Sequence, residues 1–201
     1  MLKRRKIHIA CLQETRWNGT KARELGEGYK LFYSGSPNHR NGVGIVLSES
    51  FKDKVVEVKR CSDRLMWVKI ADQRGLLTVM CAYAPQIGCM ESEKNIFFDS
   101  LEKEMQGIGQ EKKLIIGADF NAHIGKDRLG YERNHGGYGH GLKNKEGEKL
   151  LQVSQAYDMA IVNTYFQKRE DHIVTYRSGK HFSQIDYLLI WRKDLWRIKD
   201  C

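Results

Sequence analysis

The stretch "KLIIGADFNAH", residues 113–123, decides the reading of this chain. Leu114, Ile115 and Ile116 lead through Gly117 and Ala118 into Asp119, Phe120 and Asn121. A short β-rich run bounded by turn-forming residues reads as a strand, here the most buried one. A carboxylate and a carboxamide stand at its carboxyl end. Runs of the same kind recur on both sides: "IHIACL" (7–12), "KLFYSG" (30–35), "VGIVLS" (43–48), "VVEVKR" (55–60), "MWVKIA" (66–71) and "LLTVMCAYAP" (76–85) before it. After it come "MAIVN" (159–163), "IVTYRS" (173–178) and "QIDYLLIW" (184–191).

Two segments carry helical spacing instead. In "SEKNIFFDSLEKEMQGIG", Phe97, Leu101 and Met105 recur every four residues, with Ser92 as the expected N-cap and Gly107 or Gly109 as the stop. In "NKEGEKLLQVSQAYD", Leu150, Leu151, Ser154 and Tyr157 share a side. Many strands with few helices between them imply sheet packed on sheet with helices outside. The glycine-rich stretch from Gly125 to Gly147 lacks periodicity and reads as a long surface loop, either functional or a tolerated insertion.

At 201 residues the chain suits one sizeable core, so a single domain over 1–201 is expected. An apolar fraction of 41% with 29% charged residues is that of a globular protein and not of a disordered one. The net charge of +9 fits either a polyanionic partner or lysines scattered for solubility, and charge alone does not choose. Five cysteines, an odd number with no C-x-x-C pair, point to a reducing compartment. No run reaches the roughly 18 apolar residues of a membrane span, and the apolar part of "MLKRRKIHIACLQETR" is too short for a secretory signal. The expected location is nuclear or cytoplasmic, with no membrane partner and no secretion.

Four blocks place chemistry at strand ends: "ACLQETRW" with Glu14, "CAYAPQ" with Tyr83, "GADFNAHIG" with Asp119 and Asn121, and "SQIDYLLI" with Asp186. Taken singly, Glu14 or Asp119 reads as a turn or cap residue. Asp186 interrupts an apolar strand, where an ionised carboxylate needs a partner: a metal, a histidine or a structural hydrogen bond. Together these groups form an oxygen-rich set suited to a hard cation such as Mg2+, which takes few carboxylates and keeps its waters. Asp119 can orient or deprotonate a water, and Asn121 can donate to a phosphoryl oxygen without adding negative charge.

These four blocks, in this order, resemble the endonuclease/exonuclease/phosphatase superfamily, and the wording "CLQETRW", "YAP", "GADFNAHIG", "NKEGEKLL" and "QIDYLLI" is similar to the endonuclease domain of RTE-type non-LTR retrotransposons. The resemblance implies a DNase I-like fold, a four-layer α/β sandwich of two packed, mostly antiparallel β-sheets flanked by helices. It implies an Mg2+-dependent phosphodiesterase, with Mn2+ as a substitute, acting on the DNA backbone. Carried over residue by residue, Glu14 is the metal ligand, Tyr83 a donor near the phosphate, Asp119 the group that positions or activates water, Asn121 a phosphate contact, and Asp186 the carboxylate that orients a histidine. The superfamily also has an Asn-bearing strand before the Q-E-T block and an S-D-H block near its end. Neither occurs here, so the domain is expected to be incomplete at both termini and its activity impaired. His123 is the nearest substitute in sequence, with a structural role as the competing reading.

Arg16 and Trp17, directly after the Q-E-T block, are the candidates for touching DNA. "MLKRRK" reads as a basic patch or as the basic end of a helix, and the two Trp of "WRKDLWRIKDC" are expected to pack on the sheet. Three function classes stay open: a DNA endonuclease, a binding protein of the same fold without catalysis, and a phosphatase for small or lipid phosphoesters.

Overall fold

The computed structural model describes residues 1–72 and 75–201. The chain divides into two compact units, Met1–Ala84 with Asn95–Ala118, and Pro85–Lys94 with Asp119–Cys201.

The first unit begins with β1 (Ile9–Gln13), β2 (Ala22–Gly26), β3 (Tyr29–Ser34) and β4 (Val43–Leu47), an antiparallel sheet in the order β1-β4-β3-β2. After the single-turn α1 (Glu49–Lys52) come β5 (Val55–Arg60), β6 (Leu65–Asp72) and β7 (Gly75–Tyr83). Beyond α2 (Glu91–Ile108), β8 (Lys113–Asp119) lies beside β7, so that β5, β6, β7 and β8 follow one another in a second sheet.

Alternation along the strands explains the packing. Side chains at i and i+2 share a face, so Val43, Ile45 and Leu47 of β4 meet Met66, Val68 and Ile70 of β6 and Val79, Cys81 and Tyr83 of β7. Each such side chain withdrawn from water contributes about 1.5–3 kcal/mol before chain entropy is counted. β4 is buried at every position because Val46, on its other face, packs with Tyr29, Leu31 and Tyr33.

The far face of the second sheet receives α2. Phe97, Leu101 and Met105 are buried as their spacing requires, and the Trp67 indole N–H of β6 donates to Glu104 Oε2 at 2.8 Å. The helix begins at Glu91, so Ser92 lies in its first turn rather than at the cap. It runs through Gly107 and stops at Gly109, whose φ of +78° is the left-handed conformation that glycine adopts freely.

The second unit holds α3 (Lys145–Ala156), β9 (Met159–Ile161), α4 (Glu170–Ile173), a hairpin of β10 (Tyr176–Ser178) and β11 (His181–Ser183), and β12 (Asp186–Trp191), which pairs antiparallel with β9. Leu150, Leu151 and Ser154 of α3 are buried as expected. Two expected strands are shorter: after Ile161 the chain turns into a 3-10 helix at Val162–Tyr165, and Ile173 closes α4 instead of opening β10. Trp191 is buried at 2% exposure, whereas Trp196 is 75% exposed beneath the Arg197 guanidinium, against the expectation that both pack on the sheet.

The segment between Gly125 and Gly147 is built around buried polar groups. The fully buried His135 accepts from Gly137 N at 3.0 Å through Nδ1, which leaves Nε2 to donate to Gly125 O at 3.2 Å. Asn134 donates to Ser154 O and Met159 O. These bonds explain how a stretch without apolar periodicity is ordered. Among the described residues no helix is long and apolar enough to cross a membrane, and the five cysteines are free thiols.

Candidate active site

In the first unit the site is organised around Glu14. Close packing at Gly117 admits β1: a Cβ there would lie 2.9 Å from Cys11 Sγ, and Gln13 Nε2 donates to Gly117 O at 3.3 Å. Past β1 the chain turns sharply, with Glu14 at φ +52° and Arg16 at φ +53°. Thr15 N bonds Gly42 O and Arg16 N bonds Asn41 O, while Gly42 N and the Asn41 amide reach Asp63. Gly42 itself has φ +115°, and a Cβ on it would meet Thr15 Oγ1 at 2.3 Å. Left-handed backbone at non-glycine residues costs about 1–3 kcal/mol and persists where surrounding structure over-determines it, a condition common at functional sites.

That turn aims the Glu14 carboxylate at Tyr83, the last residue of β7. The buried phenol donates to Glu14 Oε1 at 2.5 Å, while Arg16 Nη2 stands 3.5 Å from Oε2. Arg64 stacks on the Tyr83 ring at 5.0 Å and donates to its carbonyl at 3.3 Å. Trp17, partly exposed, meets Tyr33 edge-on at 5.1 Å with Arg23 above it. Arg64, Asn41 and Asp63 carry no sequence signal, because each acts through a turn whose partner is distant in the chain.

In the second unit Asp119, Asn121 and Asp186 are brought together. Asp119 Oδ1 accepts from Asn121 N at 2.9 Å, an Asx turn that sets Asn121 at φ +47°. Phe120, buried between these half-exposed residues, anchors the turn, and its N–H bonds Ile185 O at 2.9 Å, next to Asp186. The Tyr187 hydroxyl reaches Gln184 O at 2.7 Å and Ala122 O at 3.2 Å. Burial, then the charges of Asp186 and Asp119, push this phenol far above the usual tyrosine value, so both carboxylates lie within electrostatic reach of one ring. Tyr187 is the positioning residue that sequence reasoning quoted but assigned no role; its place between an aspartate and an apolar run is the signal it offered.

Asp186 is half-buried, and burial raises its pKa against the opposing Thr175 hydroxyl bond. Its backbone N–H donates to Thr175 Oγ1 at 3.2 Å. His123 is held through its backbone, its N–H on Asn144 Oδ1 and its carbonyl accepting from Asn144 N. The same Asn144 oxygen caps α3 by accepting from Gly147 N at 2.8 Å.

Among the described residues no group of three or more His, Cys, Asp or Glu side chains is arranged to enclose a metal. A magnesium ion takes one or two carboxylates and retains water, and Glu14 could supply one of them: its side chain is 40% exposed, with the Tyr83 phenol on Oε1 and Arg16 Nη2 3.5 Å from Oε2.

No family model matches the chain. In sequence it is similar to craniofacial development protein 2 of Bos taurus, 26% identical over 200 residues, an alignment covering 96% of this chain and 33% of that protein. The chain thus spans about a third of the length of the curated relative it matches. In fold it is similar to the endonuclease domain of TRAS1, a telomere-specific non-LTR retrotransposon, with a TM-score of 0.65 at 16% identity over 96% of this chain and 77% of that one. It is also similar to D. rerio TDP2 complexed with a single-strand DNA product, with a TM-score of 0.61 at 12% identity over 94% of this chain and 73% of that one. The architecture is therefore that of the DNase I-like endonuclease/exonuclease/phosphatase structures: two packed sheets flanked by helices.

Proposed function

We propose that this chain is a phosphodiester hydrolase of retrotransposon origin that nicks DNA with the help of Mg2+. The observation that carries the reading is the coincidence of left-handed backbone with the candidate groups: Glu14 at φ +52° and Asn121 at φ +47° stand one and two residues past the ends of β1 and β8. Folds that hydrolyse phosphoesters supply the context, and the positive surface charge suits a DNA backbone.

In this reading Glu14 holds the cation, and Tyr83 fixes the carboxylate that does so. Bound magnesium supplies charge that offsets the negative phosphate as it is attacked. Asp119 orients a water and takes its proton, Asn121 donates to a phosphoryl oxygen, and Arg16 contacts the neighbouring backbone phosphate. Asp186, next to the Ile185 carbonyl that accepts from Phe120 N, serves as a positioning group for the Asp119 turn.

The test is a nicking assay on supercoiled plasmid with purified protein and Mg2+, run beside Asp119→Ala. Loss of nicking by at least about a hundredfold in the variant is expected, the scale of a general base. Undiminished nicking by the variant would overturn the role of Asp119. Salt-sensitive DNA binding without product from the parent protein would replace hydrolysis with binding.

A further inference from the structure

A cavity of about 300 Å³ opens between the outer face of the second sheet and the C-terminal half of α2, lined by Glu57, Lys59, Trp67, Lys69, Lys103, Glu104 and the turn at Gly107, Ile108 and Lys112. It is distinct from the Glu14–Tyr83 site. Trp67 and Lys69 pair with Met80 and Thr78 of β7, and Tyr83 lies on the opposite, core-facing side of that strand, roughly 17 Å beyond Thr78 at strand rise.

The charge inside is unbalanced. Lys59 is paired with Glu104 at 2.8 Å and Lys69 with Glu57, which uses both acids of the lining. Lys103 makes no ion pair among the described residues, and Lys112 reaches only the exposed Glu111, outside the cavity, at 3.9 Å. The C-terminus of α2 adds about half a negative charge, too little to offset two ammonium groups. Lys59 and Lys69 also lie over the Trp67 indole, at 5.8 and 5.1 Å, and so cover it. The ring, 5% exposed, offers no face for stacking a base. What remains is a concave, cationic surface of a size that accepts a small anion.

We propose that this cavity is a phosphate-binding site, in which Lys103 and Lys112, backed by Lys59 and Lys69, take a phosphate group carried by a free anion, a mononucleotide or a single strand. It reads charge and not base identity. The site does not depend on the proposed hydrolase activity.

Calorimetric titration of the full chain with inorganic phosphate, AMP and a short oligo-dT distinguishes the three sources. The expected result is binding of at least one of these probes that weakens with salt and falls at least about tenfold in Lys103→Gln/Lys112→Gln, the loss of one or two charge-assisted bonds. Both lysines are exposed, so the variant keeps its fold, which circular dichroism checks. Glu14→Ala and Asp119→Ala are expected to leave this binding unchanged. No binding of any probe to the parent protein, or equal binding to the double variant, overturns the proposal. If binding is lost in Asp119→Ala and kept in the lysine variant, the anion belongs to the candidate active site instead.

Discussion

The Tyr83 hydroxyl donates to Glu14 Oε1 at 2.5 Å, joining the end of β7 to the left-handed turn that follows β1. A charge-assisted bond of this length fixes the carboxylate in one orientation. Tyr83→Phe keeps the ring and its stacking with Arg64 but frees the carboxylate. Nicking should fall about tenfold or more, and half-saturation should need more Mg2+, while stability changes by about 1–2 kcal/mol. Initial rates across a Mg2+ titration check this, and an unchanged Mg2+ requirement would remove Glu14 as the metal ligand.

Asp186 gives a pH dependence of known sign. Its pKa is raised by burial, so the folded state holds a proton more tightly than the unfolded state, whose carboxyl titrates near 3.9. Stability is therefore lost as pH rises through the folded value and is fully regained below the unfolded one. Asp186→Asn should unfold at higher urea than the parent at pH 7.5, with the gap closing toward pH 4. A variant less stable than the parent at pH 7.5 would show that the carboxylate has a favourable partner.

His135 has the opposite sign. Burial lowers its pKa, against the Gly125 carbonyl bond, and its Nδ1 is occupied as an acceptor from Gly137. The folded state therefore resists protonation, and stability complete above about pH 6.5 declines as pH falls through the depressed value. The urea midpoint should drop between pH 7.5 and 5.5, and His135→Gln, though less stable throughout, should show a flatter slope over that window. Equal slopes would place the titration elsewhere.

The start of α3 sets helix propensity against close packing. Asn144→Ala removes the cap and should cost about 1 kcal/mol, read as a lower urea midpoint at constant m. Gly147→Ala, which propensity alone would favour by about 1 kcal/mol, should cost more than the cap, because a Cβ there would lie 1.8 Å from His123 O. A Gly147→Ala variant as stable as the parent would mean that the backbone beside Asn121 yields easily.

The strands most visible in the sequence were those with a buried face. β4, β6, β7 and β8 alternate or run apolar because each lies against a core, and the pattern records that burial directly. β2, exposed at all five positions, and the three-residue β11 carry no such record, since hydrogen bonding to β3 and β10 is what makes them strands. Glu14, Asp119, Asn121 and Asp186 were legible as candidates because polar groups ending or interrupting apolar runs violate the pattern around them. Their settings were not. The phenol on Glu14, the Asx turn behind Asn121, the clasp of Tyr187 on Ala122 and the bond from Asp186 N to the Thr175 hydroxyl join residues up to 69 positions apart. The amino-acid order alone determined which segments had to be buried and which polar groups stood out against them, because hydrophobic periodicity is local. Only the tertiary structure decided what each of those groups touches, because hydrogen-bond partners and left-handed turns are set by chains that meet in space.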